Sequence, residues 1–201
     1  MTRIIDIHPH IISADTRRYP RTSLRGTNRS VWSETRPVTF EQLMESMDKA
    51  GVDKAAMVQS RSSYGYDNSY CADMAASHPQ RFTGVGTVDL LAADAVEKIR
   101  YWHGRGISGL RVVTGGGTMD RQTDWLADPR SFPAWEAAGA LDMTLCVQLR
   151  REGVPQLMTV IRQFPKIRIL GDHLVKAPIV DGPPYGDCQY LWDMARHDNV
   201  Y

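Results

Sequence analysis

The sequence predicts a parallel α/β fold, best matched by a (β/α)8 TIM-like barrel present only in part. Three observations predict it. Six short apolar runs alternate with stretches of helical periodicity, and a seventh run begins at Asn199-Val200-Tyr201. Polar residues recur where the runs end: His8 and His10, Gln59, Asp89, Arg111, Gln148 and His173. Catalytic groups of such barrels come from the carboxyl ends of many strands. No GxGxxG follows the first run, so a dinucleotide-binding sheet has no support. Barrels of this kind typically have about 250 residues. The 201 residues here therefore read as a single barrel domain without its last two strands.

The first strand, Ile4 to Ile7, ends in His8-Pro9-His10. Side chains alternate along a strand, so Asp6, His8 and His10 share one face and Ile5 and Ile7 the other. The apolar face predicts helices packed over it, and the polar face predicts a site. Pro9 lacks an N–H and should end regular pairing. His-x-His is also a metal-ligand spacing, although the tripeptide alone is as compatible with chance.

A long loop follows, from about Ser13 to Pro37. It carries Arg17, Arg18, Arg21, Arg25, Arg29 and Arg36 against Asp15 and Glu34. It is either a solvated connection or a lid that offers guanidinium groups to an anionic substrate. Tyr19 and Trp32 favour the lid, because disordered loops are poor in aromatic residues. The first helix is predicted from Thr39, with Gln42 at capping-box spacing and Gly51 as its stop.

The second strand, Lys54 to Ser60, turns polar at Gln59 and Ser60. A Tyr64-Gly65-Tyr66-Asp67-Asn68 loop then leads to a helix ending near His78-Pro79. Phe82 to Val88 is a strand, Ala92 to His103 a helix and Gly109 to Val113 a strand. The Gly115-Gly116-Gly117 triplet lacks phosphate-loop spacing and reads as a flexible turn. Pro133 to Ala138 is a helix, Thr144 to Leu149 a strand, and Pro155 to Phe164 a helix. Ile167 to His173 is a strand, and Gln189 to His197 the last helix. His78, His103 and His197 each sit late in a helix, where a cation suits the dipole, and read as structural. A strand-end histidine such as His173 is as compatible with a structural role as with a site.

Composition narrows the function. The chain is 42% apolar and 23% charged with a net charge of +1, which gives no argument for a nucleic-acid partner. Cys71, Cys146 and Cys188 have no CxxC spacing and read as free thiols in a reducing compartment. No apolar run is long enough to span a membrane, and no signal sequence is seen. A cytoplasmic location is the expectation.

Several segments taken together resemble a known family. They are Ile5-Asp6-Ile7-His8-Pro9-His10, Val58-Gln59, Tyr66-Asp67-Asn68, Arg81-Phe82-Thr83-Gly84-Val85, Gly106-Ile107-Ser108-Gly109-Leu110-Arg111 and Asp172-His173. This set is similar to the amidohydrolase-related (amidohydrolase 2) family. The nearest branch is the lactonase one, with its pyrone-dicarboxylate, sugar and sulfomuconolactone hydrolases. The resemblance implies a distorted barrel and a hydrolase that opens a small anionic lactone, in the catabolism of aromatic compounds. It implies His8, His10 and His173 as catalytic groups around the carbonyl. It implies Arg111, Gln148, Gln59, Tyr66 and Arg25 as substrate contacts.

In metal-dependent members of the family a strand-5 histidine and a strand-8 aspartate are ligands. Here Gln148 stands at the first position, and the second would lie beyond Tyr201, as would the general base. The resulting expectation is that no cofactor is required. The alternative is one divalent metal such as Zn2+ on His8 and His10, in a decarboxylase or amide hydrolase. A further alternative is an inactive barrel kept as a binding module. No nucleic acid or membrane partner is expected.

Overall fold

The computed structural model describes residues 3–22, 24, 31–114, 125–180 and 182–201. Arg25, Arg29 and the 115–117 glycine triplet lie outside the described residues. Six strands form one sheet whose order follows the chain: β1 (Ile5–Asp6), β2 (Lys54–Val58), β3 (Phe82–Gly86), β4 (Ile107–Val113), β5 (Thr144–Gln148) and β6 (Ile169–Gly171). Pairs β1/β2, β2/β3 and β5/β6 run parallel. The helices are α1 (Val31–Thr35), α2 (Phe40–Ala50), α3 (Arg61–Tyr64), α4 (Ser69–Ser77), α5 (Ala95–His103), α6 (Phe132–Ala140), α7 (Val154–Gln163) and α8 (Gln189–Met194). Among the described residues no helix is long and apolar enough to cross a membrane. Two compact units are distinguished, residues 1–88 with 100–109, and 89–99 with 110–201.

In the first unit α2 begins as its sequence dictates. Thr39 and Gln42 exchange capping hydrogen bonds, and Gly51 ends the helix in the left-handed region. β2 and β3 pair from Ala55↔Phe82 to Val58↔Val85. A Cβ on Gly84 would stand 2.5 Å from Ile107 Cδ1, so a larger residue there would require the Ile107 side chain to shift. Past β3 the ladder is continued by a side chain. Asn68, fully buried, accepts from the Thr87 N–H at 2.7 Å and donates to the Thr87 carbonyl at 3.0 Å. These bonds satisfy a buried peptide that has left the strand.

β1 is shorter than the sequence implies. Asp6 Oδ1 accepts from the His8 N–H at 3.0 Å, a local turn that competes with strand pairing. The chain still runs beside β2, since Val58 N–H donates to the Pro9 carbonyl at 2.9 Å. The outer face expected to lie under helices is open, with Ile5 and Ile7 both more than half exposed. The arginine loop is not a bare connection either. It contains α1, and Asp73 of α4 binds Arg18 at 3.1 Å, Tyr19 Oη at 2.8 Å and Arg105. Burial, and then the Asp73 carboxylate, push the Tyr19 hydroxyl up to about 12.

In the second unit β5 and β6 pair from Leu145↔Ile169 to Val147↔Gly171. Trp135 of α6 is fully buried and stacks with Phe164 at 6.3 Å. Val200 bridges Ile169 in parallel, so the expected seventh run does begin there. Beside it, the Asn199 amide lies within 3.1–3.3 Å of the carbonyls of Ile161, Phe164 and Ile167.

His173, expected on the strand, sits beyond it. β6 stops at Gly171, and His173, Leu174, Val175 and Lys176 follow with φ of 52°, 50°, 53° and 54°. Four consecutive non-glycine residues in this region form a left-handed turn. Such a conformation costs roughly 1–2 kcal/mol per residue. Val175, fully buried, anchors it, and a Cβ on Gly171 would meet Val175 Cγ2 at 3.1 Å.

Two outcomes follow for stability. Asn68→Ala leaves the Thr87 peptide unsatisfied and should destabilise by about 2–4 kcal/mol in urea unfolding. A loss below 0.5 kcal/mol, on the order of a surface change, would mean that water replaces the amide. Lys176 is exposed, so Lys176→Gly should stabilise by up to about 1 kcal/mol by relieving the left-handed conformation. Lys176→Val should destabilise by a similar amount, and equal midpoints for the two variants would contradict the turn.

Candidate active site

Each unit carries one cluster of the residues expected at the site. In the first, His8 and His10 meet edge to face with centroids 5.0 Å apart. His10 Nδ1 lies 2.7 Å from the Val58 carbonyl oxygen. A carbonyl only accepts, so Nδ1 carries a proton. Trp32 of α1 stacks on His10 at 5.6 Å with an interplanar angle of 19°.

Gln59 is buried and donates its amide to the carbonyls of Gly65 and Asp67 at 3.0 and 2.9 Å, bracing the loop after β2. Tyr66 lies under the Arg61 guanidinium, 5.5 Å from its ring centre. Arg25 cannot be placed, since it lies outside the described residues. Of the loop arginines, Arg18 is committed to Asp73, and Arg21 donates to the Ser33 carbonyl at 3.3 Å.

The second cluster is built on Arg111 of β4. Its Nε donates to Asp172 Oδ2 at 2.9 Å. Its Nη2 lies 2.8 Å from the same oxygen and donates to Gln148 Oε1 at 2.6 Å. Nη2 also lies 3.2 Å from His173 Nε2. A guanidinium has no acceptor, so Nε2 accepts and the neutral His173 ring carries its proton on Nδ1. Gln148 occupies the expected strand-5 position, with its amide oxygen on Arg111. Among the described residues these bonds engage two of the three Arg111 nitrogens, Nε and Nη2.

Asp172 was not among the residues expected to act, yet it is the partner that the buried Arg111 charge requires. The signal was present in the sequence as an acidic residue placed between a strand and a histidine. Cys146, two residues before Gln148, is held as a thiol. Burial, and then the Asp172 charge, push it up to about 11. Elsewhere in this unit is a cavity of 440 Å³, apolar and lined by Gly171, Leu174, Ile179, Trp192, Val200 and Tyr201 among others. None of its lining residues is Arg111, Gln148, Asp172 or His173, so it is not where the polar chemistry lies.

The donor set fits a divalent cation. In the first unit His8 and His10 offer imidazole nitrogens, donors of a type that such an ion takes. His10 has one ring nitrogen tied to a backbone carbonyl, as metal histidines commonly do. Asp172 and His173 are already engaged by Arg111, so the fit rests first on His8 and His10.

The amidohydrolase family model matches residues 5–201. The L-fucono-1,5-lactonase of Burkholderia ambifaria is 28% identical over all of this chain and 67% of its own length. A Pseudomonas putida structure assigned as a 2-pyrone-4,6-dicarboxylic acid hydrolase superposes with a TM-score of 0.75. It has 17% identity, over 100% of this chain and 68% of that one. A Burkholderia multivorans amidohydrolase with bound zinc gives 0.75 and 17%, over 99% and 68%. The chain thus spans about two thirds of the length of these relatives.

The zinc-bound relative overturns the expectation that no cofactor is required. That expectation weighed the loss of the strand-5 imidazole at Gln148 too heavily. The strand-1 pair and its carbonyl anchor are intact, and a relative of the same fold binds zinc. A family model that matches all but the first four residues, on a chain-ordered sheet with polar strand ends, leaves one assignment: the chain belongs to the amidohydrolase family.

Proposed function

We propose that the protein hydrolyses a small lactone bearing a carboxylate or sulfonate, by attack of water at the ring carbonyl. The observation that carries this reading is the similarity to an L-fucono-1,5-lactonase along the whole chain. The relative assigned to pyrone-dicarboxylate hydrolysis supports an anionic substrate. The reading treats residues 1–201 as one catalytic domain.

A divalent cation such as zinc would be held by His8 and His10, and when bound it supplies Lewis-acid polarisation and a more acidic water. The protein's own groups do the rest. Arg111 donates to His173 Nε2 and so keeps the proton on Nδ1. In this scheme that N–H stabilises the charge that develops on the carbonyl oxygen. Asp172 and Gln148 hold the guanidinium still, and its remaining nitrogen takes the anionic group of the substrate. Gln59 and Tyr66 shape the wall after β2. Cys146, held as a thiol, takes no part as a nucleophile.

The test is turnover of a panel of neutral and anionic lactones before and after treatment with a chelator. Hydrolysis should fall on chelation, return with added Zn2+, and favour the anionic members. His173→Ala should lower kcat by roughly 10²-fold or more, the usual scale for loss of a polarising donor. No turnover of any lactone by the zinc-loaded protein would sink the reading. Near-normal kcat in the variant would return His173 to a structural role.

A further inference from the structure

We infer that Gln148 is a specificity-determining residue. Arg111 turns its side-chain amide so that the N–H pair, and not the oxygen, meets an acid oxygen of the substrate. The inference deepens the proposed lactone chemistry and rests on it only for its kinetic arm.

The orientation follows from the chemistry of the partner. A guanidinium donates and cannot accept. The amide atom 2.6 Å from Arg111 Nη2 is therefore the oxygen, Oε1. The nitrogen is bonded to the same carbon and must point away from Arg111. One contact thus decides which end of a nearly symmetric group is presented. An unrestrained glutamine offers either end at little cost and reads donors and acceptors alike.

The two ends of this contact are themselves fixed. Arg111 Nε and Nη2 both reach Asp172 Oδ2, at 2.9 and 2.8 Å, and the pair is almost wholly buried. Gln148 is the last residue of β5, and its backbone carbonyl accepts from the Thr114 N–H at 3.0 Å. The amide is therefore set between a paired strand end and a guanidinium that cannot turn.

The nitrogen is what remains for a ligand. Among the described residues, the bond to Arg111 is the one hydrogen bond that the Gln148 side chain makes. Gln148 is 8% exposed and stands at the carboxyl end of a parallel strand, where barrel enzymes meet their substrates. An amide N–H without an acceptor in so dry a place is costly, and a ligand oxygen relieves that cost. Arg111 also polarises the amide, since successive hydrogen bonds strengthen one another. A donor of this kind favours a carboxylate or sulfonate oxygen. It rejects a group that can only donate.

The experiment is nitrogen–proton correlation NMR of the side-chain amides in 15N-labelled protein. Gln148→Glu identifies the Gln148 pair by its loss, and Gln148→Met serves if that variant fails to fold. Benzoate, a ring with one carboxylate and no donor, should move the pair downfield and saturate. Benzylammonium, with donors only, should leave it in place. Gln148→Glu keeps an oxygen on Arg111 but has no N–H to offer. Followed on the Thr114 backbone signal, it should raise the benzoate half-saturation at least about tenfold, the scale of a lost hydrogen bond to a charged group. A pair that benzoate leaves unmoved, or that both probes move alike, would overturn the inference. Unchanged benzoate affinity in Gln148→Glu would do the same.

In the kinetic arm, Gln148→Glu should lower the preference for anionic over neutral lactones, as a ratio of kcat/KM values, by about tenfold. Equal losses on both kinds of lactone would also count against the inference. The amide spectrum needs no turnover. A protein without lactonase activity would therefore count against the proposed function and leave the benzoate test standing.

Discussion

The buried pair between Arg111 and Asp172 is the constraint on which the second unit's polar cluster depends. The Arg111 side chain is 10% exposed and that of Asp172 3%. A guanidinium cannot shed its proton at any ordinary pH, so once buried it must be paired. Asp172 provides the countercharge from just past β6, and Gln148 takes a further N–H from the end of β5. The requirement thus links the ends of three strands. It also fixes the His173 tautomer, because the only thing Arg111 can do at that ring is donate. The strained left-handed turn is part of the same construction. It turns the chain sharply after Gly171, seats Val175 in the core, and places Asp172 and His173 consecutively beside Arg111.

The first unit solves a similar problem without a buried charge. His8 and His10 leave β1 where Asp6 and Pro9 end regular pairing. A backbone carbonyl of β2 and an aromatic face of α1 then hold His10. The loop arginines contribute less to an anionic site than their number implies, since Arg18 and Arg21 are used to fasten the loop. Both units draw their chemistry from positions at or just past the carboxyl ends of parallel strands, as barrel enzymes do.

Much of this was legible in the sequence, because it follows from local rules. The Thr39–Gln42 cap, the Gly51 stop, the alternation of strands and helices, and the polar residue at each strand end are statements about neighbouring residues. What was not legible depends on distant partners. Nothing in Asp172-His173-Leu174-Val175-Lys176 calls for positive φ, and only the packing of Val175 and the pairing of Asp172 impose it. Gln148 was legible as a departure from a histidine but not as an acceptor for Arg111, 37 residues away. α1 is too short to show periodicity and was hidden in a loop. The metal was misjudged because two missing ligand positions, Gln148 and the strand-8 aspartate, were weighed without sight of the His10–Val58 bond, which is a tertiary contact.

The central claim is that Arg111 and Asp172 act as one unit, and a double-mutant cycle on stability tests it most directly. Arg111→Met and Asp172→Leu each leave a buried charge without its partner. Each should cost about 3–5 kcal/mol in urea unfolding. The double variant removes both charges and should cost far less than the sum, with a coupling of at least about 2 kcal/mol. Additive losses, or single losses under about 1 kcal/mol, would contradict the account, because the pair would then be two independent side chains that happen to lie close.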